Sequence, residues 1–150
     1  MTGVTNRWCW GALLLLGMAA SSGAAVQASL YDRLGGVAGV AAIANSLIDR
    51  VTADPKLTRS FQDSDLGRIK RLLAEQLCDL SGGPCHYSGD SMKEVHAGHH
   101  ISEAEFYGMV TDLREVLRER HVSLAATNEL LRLLAPMKRD VVEPAQSGAK

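Results

Sequence analysis

Ser91-Met92-Lys93-Glu94-Val95-His96-Ala97-Gly98-His99-His100-Ile101-Ser102-Glu103-Ala104-Glu105-Phe106 opens two helices in quick succession. In each, a serine precedes a glutamate by three positions. This is the capping box, in which hydroxyl and carboxylate reciprocally satisfy orphan amides at a helix start. The first helix has room only to about Ala97, because Gly98 closes it. The second runs on through Phe106, Met109, Val110, Leu113, Val116 and Leu117, spaced for one helical face. Ile101 and Phe106 are placed as its hydrophobic staple.

The same period extends to both sides. Upstream, Gly35-Gly36 opens a segment with apolar residues at Val37, Val40, Ala44, Leu47, Ile48 and Val51, ended by Asp54-Pro55. A second face follows at Leu66, Ile69, Leu72, Leu73, Leu77 and Leu80, stopped by Gly82-Gly83-Pro84. Downstream, Leu130, Leu131, Leu134, Met137 and Val141 form a last helix that Pro136 should kink. Four long helices, several short ones and no strand pattern predict an all-α bundle. The chain has 150 residues, 46% hydrophobic and 22% charged, as expected of one globular domain. A net charge of -1 and an aromatic share of 5% offer neither a basic footprint nor a stacking platform, so nucleic acid is excluded as a partner.

The first 28 residues read differently. Arg7 is their only charge, an apolar run spans Trp8 to Ala20, and small residues lead to Val26-Gln27-Ala28. This is the pattern of a secretory signal peptide cleaved after Ala28. The apolar run is short for a membrane span, which needs roughly 20 residues, so no stable membrane anchor is expected after cleavage. The expected organisation is a leader over 1–28, a domain over 29–144, a frayed tail over 145–150, and a periplasmic location. Export leaves two cysteines, Cys78 and Cys85. A bridge closing so small a loop would contribute about 2–3 kcal/mol in the chain-entropy model. Two free thiols are the other reading, and spacing alone does not choose between them.

Three of the five histidines fall in His96-Ala97-Gly98-His99-His100. His96 sits on the short capped helix beside apolar Met92 and Val95. There it can aim a neutral imidazole nitrogen at a metal or cofactor between helices, or it can be a core histidine bonded to a backbone carbonyl. His99 and His100 lie in the turn, facing solvent, and His86 and His121 read as loop or surface residues. His96 with His99 is a possible zinc or copper pair, although no carboxylate or cysteine completes a known spacing.

Leu30-Tyr31-Asp32-Arg33-Leu34-Gly35-Gly36 resembles the opening of group I truncated haemoglobins. Further landmarks of that family recur in order: Phe61 after Asp54-Pro55, Gly82-Gly83-Pro84, Tyr87-Ser88-Gly89, Met92 to Gly98, and Ile101 to Phe106. The likeness covers almost all of Leu30 to Val142. It implies a truncated globin-like two-over-two helical sandwich holding haem b, with His96 as the proximal iron ligand. Phe61 corresponds to the family's pocket phenylalanine. Met92, Val95, Ile101 and Phe106 would line the proximal side, and Tyr87, Arg68 and Lys70 are candidates to meet propionates at the rim.

The departure lies across the iron. Many group I members place a tyrosine late in the first long helix and a glutamine on the next, both bonding bound oxygen. Here the aligned positions hold Ile48 and Leu73, with Ile69 facing the ligand as well. A lost charge-assisted hydrogen bond is worth about 1.5–3 kcal/mol, or roughly ten- to hundredfold in retention. The resemblance then implies fast oxygen release and relatively better retention of carbon monoxide or nitric oxide. Gln76, one turn away, would supply a donor if the helix were rotated.

Three functions are consistent with the residues. The leading one is a periplasmic haem protein that reversibly binds oxygen, NO or CO, supplied with electrons by an unknown reductant. A haem enzyme with nitric oxide dioxygenase or peroxidase-like activity is the second. A non-haem helical module binding a metal through His96 and His99 is the third.

Overall fold

The computed structural model describes residues 28–143. The expected tail and, apart from Ala28, the expected leader lie outside the described residues. Within them run α1 (Leu30–Arg33), α2 (Gly36–Ala53), α3 (Leu66–Leu80), α4 (Met92–His96), α5 (Glu103–Glu119), α6 (Leu124–Leu134) and α7 (Lys138–Val141). Short 3₁₀ turns occupy Thr58–Phe61 and Ala135–Met137, and there is no strand among the described residues.

Both expected capping boxes form, Ser91 with Glu94 and Ser102 with Glu105, and a third, Ser29 with Asp32, starts α1. Asp65 and Ser123 cap α3 and α6 by accepting from amides three residues on. Pro136 does more than kink the last helix. It sits inside the 3₁₀ turn that separates α6 from α7, because it lacks the amide hydrogen that would continue the ladder.

The core is built around α2. Val40, Ile43, Ala44, Leu47, Ile48 and Val51 are all fully buried, against Leu77 and Cys78 of α3, Leu113, Val116 and Leu117 of α5, and Ala126 and Leu130 of α6. Val37, expected on this inward face, is instead 70% exposed. It lines an open groove between α2 and α3 whose other walls include Ala41, Ala74 and both cysteines.

Those cysteines are joined: Cys78 and Cys85 form a disulfide with a Cα–Cα distance of 5.8 Å. The bridge ties the end of α3 to the segment leading into α4. Glu75 reinforces it by accepting from the Ser88 amide (3.2 Å) and hydroxyl (2.6 Å), and Asp79 by accepting from the Tyr87 amide (3.1 Å). A segment without regular structure is thereby fastened to a long helix.

Candidate functional site

The long helices bury only part of their apolar stripes. On α3 only Leu77 and Cys78 are buried, whereas Leu66, Ile69, Leu72 and Leu73 remain half-buried. On α5 the buried residues are Leu113, Val116 and Leu117, while Phe106, Met109 and Val110 are half-buried. Nothing on α4 is buried, although it carries Met92 and Val95, and Phe61 is half-buried too. Apolar surface left in water costs roughly 25 cal/mol per Å², so these faces favour an apolar group that would cover them.

His96 is the half-buried titratable residue of α4, whereas Lys93 and Glu94 on the same helix are exposed. Its Nδ1 lies 2.7 Å from the Met92 carbonyl oxygen, one turn back on the same helix. Burial lowers the pKa of the imidazole; the Met92 bond opposes this in part, and neighbouring His99 adds to the lowering. Burial thus favours the neutral ring, in which Nδ1 donates to the carbonyl and Nε2 keeps its lone pair. Of the two readings of His96 from the sequence, the structure shows the bond to a backbone carbonyl, and such a bond on one ring nitrogen is compatible with a ligand role for the other. Among the described residues, no three His, Cys, Asp or Glu side chains lie together to hold a bare metal ion. One lone pair, on a helix that also carries half-buried Met92, fits a group that brings its own metal.

The remaining expected site residues are placed as follows. Ile48 is inside the core, 1% exposed, and Ile69 and Leu73 pack against that core from α3. The Gln76 amide is turned toward the sulfurs of Met92 (3.2 Å) and Met137 (3.6 Å), which are weak acceptors. Lys70 is paired with Asp49 of α2 at 2.5 Å, whereas the Arg68 guanidinium is exposed and makes no hydrogen bond among the described residues. Tyr87 donates its hydroxyl proton to the Asp90 carbonyl (2.9 Å), so that proton is already committed within its own loop. Ile101 is half-buried and its carbonyl accepts from Glu143, while Val95 stands 37% exposed.

Sequence reasoning missed Arg59. Its guanidinium donates to the carbonyls of His99 (3.1 Å) and His100 (2.9 Å) and pairs with Glu105 (2.6 Å). Glu105 had been legible only as a capping residue. Backbone carbonyls carry no residue signature, so no pattern along the chain pointed to this contact.

A model of the bacterial-like globin family matches residues 29–143. A group 1 truncated hemoglobin of Mycolicibacterium paratuberculosis is 31% identical over 117 residues, covering 78% of this chain and 86% of that one. One of Tetrahymena pyriformis is 27% identical over 114 residues, covering 76% of this chain and 94% of that one. The crystal structure of the Tetrahymena pyriformis truncated hemoglobin in its Fe(III) form superposes with a TM-score of 0.74 at 26% identity, over 78% of this chain and all of that one. The 2/2 hemoglobin of Synechococcus, solved in the cyanomet state with covalently attached heme, gives 0.71 at 26% identity, over 77% of this chain and 98% of that one. The family match spans the whole described domain, and the helical architecture agrees with it. The chain belongs to the bacterial-like globin family, as a group 1 truncated haemoglobin with the two-over-two helical fold.

Proposed function

We propose that the protein binds haem through His96 and uses it to bind a diatomic gas reversibly. The observation that carries this reading is the His96–Met92 bond, which fixes a half-buried ring and leaves its Nε2 lone pair free to serve as a ligand. When bound, haem b supplies the iron to which oxygen, NO or CO can coordinate. The chain supplies the rest. Phe61, Ile69, Leu73, Met92 and Phe106 offer the apolar faces that keep water from the group. Ile48, Ile69 and Leu73 bring no hydrogen-bond donor to the ligand side, and the Gln76 amide is engaged elsewhere. Oxygen is therefore released fast relative to carbon monoxide. At the rim, Arg68 is the cation open to a propionate, since Lys70 is paired and the Tyr87 hydroxyl is committed.

Export is part of the same proposal. The Cys78–Cys85 disulfide supports it, because such bonds persist in oxidising compartments and are rare in reducing ones. A mature chain beginning at Ser29, recovered from the periplasm, is the expected result of expressing the full sequence.

The absorption spectrum of the protein after haem addition, beside that of His96→Ala, tests the central claim. An intense Soret band with an imidazole-ligated ferrous form, lost or altered in the variant, is expected. Failure of the wild type to take up haem stoichiometrically overturns it.

A further inference from the structure

We propose that Arg59 is a positioning residue for His96: reaching from the Thr58–Phe61 turn, it holds the chain just beyond α4 and so fixes where that helix ends. This inference rests on the reading of His96 as the iron ligand. With five residues, α4 is too short to maintain its own geometry, so its orientation depends on its packing against α7, on the Gln76 contact to Met92 and on what grips its two ends. The capping box of Ser91 grips the start.

The far end leads into a turn through two left-handed residues, Gly98 at φ +79° and His100 at φ +50°. A non-glycine residue is uncommon there and needs its surroundings to hold it. Arg59 does so from one side. Its Nη1 donates to the His99 carbonyl (3.1 Å) and its Nη2 to the His100 carbonyl (2.9 Å). Glu105 grips the same guanidinium side-on, with Nε–Oε1 at 2.6 Å and Nη2–Oε2 at 2.8 Å. Glu105 is itself held by the Ser102 amide (2.8 Å) and hydroxyl (2.6 Å). On the other side Glu143 accepts from the Gly98 amide (2.6 Å), meets His100 Nδ1 (2.7 Å) and donates its own amide to the Ile101 carbonyl (3.0 Å).

A planar guanidinium can serve two successive carbonyls and a carboxylate at once; an ammonium cannot match that fork. Arg59 also lies two residues before Phe61 in the same 3₁₀ turn. One short turn thus contributes both an apolar side chain to the site and the strap to the segment after His96. Without Arg59, the two carbonyls turn to water and the end of α4 is gripped from one side only.

The test compares Arg59→Ala and Arg59→Lys in the full chain with Arg118→Ala, which removes a pair to Glu115 within α5. Amide hydrogen exchange over residues 97–102 is measured without haem. After haem addition, the rate of haem transfer to a scavenging apoglobin and the iron–histidine stretching band are measured. Arg59→Ala is expected to raise exchange and haem loss about three- to tenfold and to shift the band. Arg59→Lys should recover part of each, and Arg118→Ala should change none. Wild-type exchange, haem loss and band position in Arg59→Ala would overturn the proposal. If the wild type takes up no haem, the haem reading fails on its own, and the exchange measurement still decides whether Arg59 holds the turn. If Arg59→Ala does not fold, Arg59→Lys decides: wild-type behaviour in every measurement refutes the role.

Discussion

A Cβ placed on Gly39 would lie 1.9 Å from the Leu34 carbonyl oxygen and 2.7 Å from its carbon, both backbone atoms at the α1–α2 junction. Neither atom can swing aside as a side-chain tip could. Gly39→Ala is therefore expected to destabilise the protein by about 2 kcal/mol or more, read by urea titration. Glu105 carries a second residue-level prediction. The hydrogen bond from Arg59, joined by those from Ser102, outweighs burial and holds its carboxyl down to about 2. Its contribution to stability is thus complete above the ordinary glutamate value and is lost as pH falls from there toward about 2. Glu105→Gln should flatten that part of the acid-unfolding curve; an unchanged acid limb would contradict the assignment. His96 was legible as a candidate because a capped five-residue helix displays it. Its tautomer was not, since only the Met92 carbonyl at 2.7 Å reveals which nitrogen carries the proton.

At the scale of elements, the segment between α3 and α4 depends on side-chain fastenings. The Cys78–Cys85 bridge closes a loop short enough that the chain-entropy model assigns it only about 2–3 kcal/mol. Cys85→Ser should lower unfolding stability by about that amount, while Glu75 and Asp79 continue to hold Ser88 and Tyr87. A loss well under 1 kcal/mol in equilibrium unfolding would show that these carboxylates already fix the segment. Helix limits, by contrast, were readable in advance at most boundaries. Ser91, Ser102, Pro136 and Gly98 act on amides within four residues of themselves, so their effect survives whatever the rest of the chain does. Val37 shows where that logic stops. It keeps the helical period, yet it lies over an open groove between α2 and α3, because the period of one helix does not say how far its neighbour extends.

For the whole molecule, the proposed ligand side of the site would draw on both α2 and α3. Ile48 is fully buried in the core, and Ile69 and Leu73 lie on a helix whose stripe is only half covered. Leu73→Gln would bring in an amide donor without moving either helix. It is expected to slow oxygen release about ten- to hundredfold while leaving carbon monoxide release within a fewfold. Stopped-flow displacement measures both rates. Very slow oxygen release by the wild type would show that a donor already reaches the ligand and would refute the apolar account of that side.

The sequence by itself determined most of the helices, the two capping boxes at Ser91 and Ser102, the all-α class and the display of His96 on a short capped helix. These rest on interactions between residues a few positions apart, whose partners a linear chain already specifies. The ordered landmarks from Leu30 to Phe106 carried the family as well. Only the tertiary structure decided that Cys78 and Cys85 are joined, that Gln76 turns to Met92 and Met137, that the Tyr87 proton is spent on Asp90, and that Arg59 straps the turn after His96. Each of these pairs a side chain with a group set by three-dimensional packing, often a backbone carbonyl or a distant helix. Burial and hydrogen-bond partnership are properties of the folded neighbourhood, and no period along the chain encodes them.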